Sequence, residues 1–480
     1  MSEVNACDLK IIENEDDVFD LYVGVGSESK AGLEVEMTFF DPATMKPMSL
    51  AQNKLLKNAA EARHDGDWVH TEPTADILEI VSIPGYPNDI KNVLNDINDK
   101  IKILTDKAGE LGLKRSYFQE LPDRTGKELL EHIVDSERYQ TMYWPYREDM
   151  TDIVTYFAVC KSNQVSISHR DPDHLLENIR RLYFLAPFLF LLTDNSSGFN
   201  QGQPFSGHQG MMHRTALEER GGILPYIFTA QNGEDFIRKH IDYVMNNKLF
   251  MHYDENGTLT GIPSGTWSSF EKLRTQCLNF ASNYYLAQSI LWPDVKIAAL
   301  KNRDGGVIGH RFEPRMFGVG IHQHQTAFLI TTALAFKPNF AAQVDALLAE
   351  YGFDTQDLDT ARENLEAAYD SAQNHNGKFF DIPYGTGTVA NFAKEFADLI
   401  ENAHIGDGLD EELEPLLSIC RTGCTDGKIN RMMFPTLEST MEFQKTHDPA
   451  IFNDPNSCAH MVFEKEIKKT SAGACTQAQT

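Results

Sequence analysis

Gly32-Leu33-Glu34-Val35-Glu36-Met37-Thr38-Phe39-Phe40 is the stretch from which the fold is read. With a period of two, Leu33, Val35, Met37 and Phe39 line one face, and Glu34, Glu36 and Thr38 share the other. Val, Thr and Phe favour a strand, and Asp41-Pro42 ends it. Such a strand buries one face and points two carboxylates, two residues apart, the same way. Like charges that close stay ionised at little cost only in water or next to a cation. An isolated pair of this kind is ordinarily a solvated outer face. What turns the reading towards a site is that further carboxylate-bearing strands follow.

Residues 77–83 read as a second strand, carrying Glu79 between Leu78 and Ile80 and closed by Pro84-Gly85. A third is His310-Arg311-Phe312-Glu313-Pro314-Arg315, in which Glu313 and Arg315 share a face. Pro314 inside it marks an edge strand or a bulge. A fourth strand lies within 157–168, and His169 closes it. Strands are also expected at 295–299 and 307–317.

Helices separate these strands. Residues 49–62 form a polar one. From an Asn88 N-cap, Ile90, Leu94, Ile97, Ile101, Leu104, Ala108 and Leu111 make one apolar stripe, ended by Gly112. Residues 127–134 look helical, 174–192 form an apolar helix kinked at Pro187, and 267–291 are helical. From about 321 the chain is helical, at 323–335, 339–351, 357–373 and 389–403, with a short piece at 409–414 stopped by Pro415. The segment 199–222 is a loop rich in Gly, Gln and His, which a compact enzyme keeps mainly for function. Alternating strands between helices predict an antiparallel α+β fold, not a doubly wound parallel sheet. The expected organisation is a catalytic sheet with covering helices over 1–330, a helical part packed on it over 331–455, and a flexible tail over 456–480.

With 480 residues, 41% apolar, the chain can bury a large core. A formal charge of −27 argues against nucleic acid or an anionic membrane as partner. Neither a signal peptide nor a membrane span is visible, so a cytoplasmic protein is expected. Seven scattered cysteines make a disulfide framework a poor reading. Whether Cys420 and Cys424 pair is left open.

Clustered carboxylates with one histidine suit a hard cation, magnesium or manganese. Several acids around such ions suit a clamped polyphosphate. Each residue alone has an ordinary reading: Glu79 as an exposed strand residue, Glu313 and Arg315 as a salt bridge, His169 as a satisfied loop histidine. Together they favour a site.

The ordered set G-L-E-V-E, E-P-T-A-D-I-L-E, R-Y-Q-T-M-Y, Q-V-S-I-S-H and F-E-P-R, spread over residues 30–330, resembles the glutamate–cysteine ligases and the wider carboxylate–amine ligase family with the glutamine-synthetase fold. The resemblance implies a curved, mostly antiparallel sheet forming a funnel, with helices outside and a helical C-terminal third. It implies that ATP and magnesium or manganese activate the γ-carboxylate of L-glutamate as an acyl phosphate, which the amine of L-cysteine, or another amine, then displaces. By position, Glu34, Glu36, Glu79, Glu313 and His169 resemble metal ligands. Glu72 resembles an acidic residue near the acceptor, and Arg315 an arginine that stabilises the transferring phosphoryl group. Arg214 and Arg220 resemble a carboxylate-recognising loop, with Arg138 and Arg181 as further substrate-binding candidates. Gly318 stands where the family often has an aspartate, and Arg311 where an apolar residue or tyrosine is usual. A monomer or homodimer is expected. A ligase for a different amine, a phosphotransferase of the same fold and a non-catalytic binding protein are the competing readings.

Overall fold

The computed structural model describes residues 10–63, 66–143, 161–211, 220–263, 266, 268–302 and 305–448. Its centre is β1 (Ala31–Asp41), the strand built on the paired glutamates. Leu33, Val35, Met37 and Phe39 are buried, as their alternation predicts. The main sheet adds β2 (Val69–Thr71), β3 (Ile77–Val81), β4 (Ser162–Ser168), β5 (Val295–Lys301) and β6 (Val307–Pro314), in the order β5-β6-β4-β1-β3-β2. Every pairing along that path is antiparallel. The sheet curls into a half-barrel.

Register decides which side chains meet. Glu36 stands opposite Glu79, Glu34 opposite Gln164, and Lys296 opposite Glu313. Between Phe312 and Phe317 the chain spends one more residue than β4 does between Ile167 and Asn163. Pro314 sits in that irregularity, so the bulge reading fits and the edge reading does not: β6 is flanked by β5 and β4, and β5 forms the edge.

Helices cover the other face. Along α1 (Ile90–Glu110) the stripe Ile90, Leu94, Ile97, Ile101, Leu104 and Ala108 is buried, whereas Leu111 caps the helix exposed. The N-cap is Asp89, not Asn88. Helix α2 (Pro172–Leu192), with Pro187 inside it, and α3 (Gln323–Phe336) are buried almost throughout. Residues of the C-terminal helices, among them Phe392, Phe396 and Leu416, join the same hydrophobic core as the strands.

Several local expectations change. The 267–291 stretch holds two short helices, Phe270–Thr275 and Ala281–Ser289, separated where Cys277 takes a positive φ of 58°. Only Gly126–Leu130 of the segment near 127–134 is helical. Pro415 does not stop its helix, which runs Asp410–Thr422, because Leu413, Leu416, Leu417 and Cys420 bury one continuous face. Cys420 is a free, buried thiol, so it does not pair with Cys424. Among the described residues no helix is long and apolar enough to cross a membrane. The expected tail, 456–480, lies outside the described residues.

Candidate functional site

The face of β1 opposite the core opens on a cleft of about 300 Å³. Glu34, Glu36, Glu72, Glu79 and Glu313 line it, with Arg138, Lys161, Lys296, Arg311 and Arg315. The period-two pattern delivers them: Glu34 and Glu36 from β1, Glu79 from β3, Arg311 and Glu313 from β6. Arg315 follows where β6 ends, and Glu72 where β2 ends.

Glu36 is held by two donors from β4, the Ser162 amide at 2.8 Å and the Gln164 side-chain amide at 2.7 Å. Ser166 Oγ donates to Glu34 at 2.8 Å. Arg311 Nη2 donates to both Glu34 and Glu313 at 3.1 Å. Arg315 Nη1 donates to Glu313 at 2.5 Å and also to the Gln164 carbonyl oxygen. Lys296 Nζ donates to the Ser289 carbonyl at 3.1 Å, and Arg138 Nη2 donates to Ser289 Oγ at 3.1 Å.

These neighbours divide the acids into two kinds. Burial alone would raise Glu313, but Arg315, Arg311 and Lys296 hold it at about 2, ionised. Burial raises Glu34, with Glu313 adding to it and Arg311 opposing it. Burial and Glu36 push Glu72 up to about 8, and burial with Glu34, Glu72 and Glu36 drives Glu79 well above the usual range. Burial and Arg315 pull the Lys296 ammonium down to about 7. Glu79, buried and set among Glu34, Glu72 and Glu36, is thus driven towards its protonated form, and a cation beside it would favour the carboxylate. Among the described residues, no three His, Cys, Asp or Glu groups are arranged to hold an ion as they stand. The donor set is nonetheless the chemistry a hard cation takes: carboxylate oxygens whose ionised forms burial and mutual repulsion disfavour.

The structure does not bring His169 to this cleft. Gln164, Ser166 and Ser168 share one face of β4, so His169 falls on the other. It is fully buried there, and its Nε2 donates to the Tyr22 carbonyl at 2.6 Å. Arg181 is also elsewhere, ion-paired with Asp345 at 2.6 Å. Arg220 lies off the lining too, donating to the Lys248 carbonyl with its guanidinium 4.5 Å from the Phe250 ring. Arg214 lies outside the described residues. Arg138 lines the cleft. The sequence reading missed Gln164, Ser166 and Lys296; the first two were legible as the face of β4 opposite Val165 and Ile167. Gly318 also has a physical reason: a Cβ there would stand 2.4 Å from both the Thr193 carbonyl oxygen and Gln119 Oε1. An aspartate does not fit that position.

Residues 30–247 match the model of glutamate-cysteine ligase family 2. That span holds four of the five motifs that carry the resemblance, and F-E-P-R at 312–315 lies beyond it. Among solved structures, the glutamate–cysteine ligase of Francisella tularensis in complex with AMP is similar, with a TM-score of 0.51, 10% identity and 95% of each chain covered. A bifunctional glutathione synthetase from Pasteurella multocida gives a TM-score of 0.44 and 11% identity, covering 92% of this chain and 54% of that one. At 10% identity the likeness to the Francisella enzyme is one of fold. No curated protein matches the chain. The family match spans less than half of the chain, and residues 30–247 resemble the ligases of that family.

Proposed function

We propose that this chain is an ATP-dependent ligase that joins the γ-carboxylate of L-glutamate to the amine of L-cysteine, giving γ-glutamylcysteine, the first step of glutathione biosynthesis. The observation that carries this reading is the convergence of five glutamates with Arg311, Arg315 and Lys296 in one cleft of a fold shared with such a ligase. The AMP held by the Francisella enzyme supports a nucleotide as co-substrate.

Glu34, Glu36, Glu79 and Glu313 would hold magnesium or manganese. When bound, the ion neutralises polyphosphate and carboxylate charge. A γ-carboxylate oxygen of glutamate attacks the γ-phosphorus of ATP, the bond to the bridging oxygen breaks, and ADP leaves. Arg315, fixed by Glu313 and Gln164, keeps a positive charge beside the phosphoryl group without having to reorganise. The acceptor arrives as an ammonium ion. Glu72, with a proton affinity poised near neutrality, takes its proton. The free amine attacks the acyl carbon, the acyl–oxygen bond breaks and phosphate departs.

An ADP-release screen with glutamate fixed and amino acids varied tests this. ADP should form only when glutamate and cysteine are both present. Glu34→Gln or Glu313→Gln should abolish turnover with little loss of folding. ADP formation that ignores cysteine but answers to another amine would reassign the acceptor. A phosphorylated acceptor in place of inorganic phosphate would make the chain a phosphotransferase.

A further inference from the structure

The cations of the cleft are not equivalent. Arg311 and Arg315 are matched by carboxylates of the protein, Glu34, Glu36 and Glu313. The polar contacts of Lys296 and Arg138 go instead to one uncharged residue, Ser289, its carbonyl taking the ammonium and its hydroxyl the guanidinium. Ser289 ends the helix Ala281–Ser289, so two elements distant in sequence, β5 and the helix Glu137–Tyr143, are pinned to one point with their charged ends on the cleft lining. A lysine amine held beside a guanidinium is a receptor for a carboxylate, whose arriving negative charge favours the ammonium form of Lys296. Lys296 also faces Glu313 across the ladder, and Glu313 holds Arg315. The receptor therefore adjoins the place where the phosphoryl group would be transferred. A dicarboxylic donor that reaches that place with one carboxylate sets its other one on the adjoining lining.

We propose that Lys296 and Arg138, tied together through Ser289, bind the α-carboxylate of the donor amino acid and select it against donors that lack that group. This rests on glutamate being the donor. It assigns recognition of that group to the β5 edge of the sheet, away from Arg220 and Arg181.

The test is calorimetric titration of the wild-type protein and of Lys296→Met with L-glutamate and with 4-aminobutyrate, which is glutamate without its α-carboxylate. A charge-assisted hydrogen bond is worth about ten- to a hundredfold in affinity, so each of the two cations should add a factor of that size to the preference for glutamate. In Lys296→Met that preference should fall by about ten- to a hundredfold, through weaker glutamate binding and unchanged 4-aminobutyrate binding. Lys296→Arg should restore most of it. Arg138 is exposed, so Arg138→Met provides a second variant whose folding is not at stake, and it should lose preference in the same sense. An unchanged preference in either methionine variant, or equal loss for both ligands, overturns the assignment. The titration needs no turnover. Amide formation with an unchanged preference would sink this inference alone, and a collapsed preference without amide formation would sink the proposed activity alone.

Discussion

Glu72→Gln should make the ligand-free protein more stable while lowering its activity. Glu72 follows β2 and faces Glu36 within the cleft, and burial together with that neighbour lifts its carboxyl from 4.5 to about 8. A carboxyl whose folded-state pKa is raised binds more protons folded than unfolded. Stability is therefore fully present below the unfolded value of 4.5 and is lost as pH rises towards 8. At pH 7.5 the window covers about three units at about 1.4 kcal/mol each, so the native glutamate costs up to about 4 kcal/mol there. A neutral amide of the same shape escapes that cost. With about 2.1 cal/mol/K of unfolding entropy per residue, 480 residues unfolding together give about 1 kcal/mol/K, so the gain is about 4 °C in melting temperature. Scanning calorimetry at pH 7.5 and at pH 4.5 measures it. The gain should be present at the first pH and absent at the second, with amide formation reduced in the same variant. A variant that melts no higher than wild type at pH 7.5, or gains equally at both, refutes the reasoning.

Gly318→Ala should destabilise by about 1–3 kcal/mol and impair activity, because the new methyl meets the Thr193 carbonyl, a backbone atom that cannot swing away; urea titration measures the first effect and ADP release the second. His240 and His310 are buried neutral, and burial holds both at about 3. Their contribution to stability is present above about 6.5 and is lost as pH falls towards 3, because the unfolded chain takes up protons that the folded one refuses. His240→Phe should remove about 1.4 kcal/mol per pH unit from the acid slope between pH 6 and 4, read from melting curves across pH. Arg181→Leu should lower the melting temperature by breaking the Asp345 pair, yet leave KM for glutamate unchanged; a raised KM would return Arg181 to the site.

Strand alternation is a local property, and it was legible. Leu33 to Phe39 could be sorted into a buried and an open face from side-chain type alone, and the same rule set Glu79 and Glu313 on the open face. Charge pairing is not local. Arg181 enters as a substrate-binding candidate through the family resemblance alone, and the sequence does not display its partner Asp345, which lies 164 positions along the chain. Lys296 reads as an unremarkable strand lysine until the register with β6 sets it opposite Glu313. His169 and Gln164 show the same limit within one strand. The motif draws attention to the histidine, but parity sends it to the core and leaves the glutamine bridging Glu36 and Arg315. Gly318 reads as a missing acid because the sequence cannot display the Thr193 carbonyl that occupies the space a side chain would need. The glutamates are thus found by period, and the groups that set their protonation only by register. The consequence is physical: Glu313 and Glu79 sit on the same face of one sheet and are both buried, but Arg315, Arg311 and Lys296 keep Glu313 ionised, whereas Glu34, Glu72 and Glu36 add to the burial that drives Glu79 towards its protonated form.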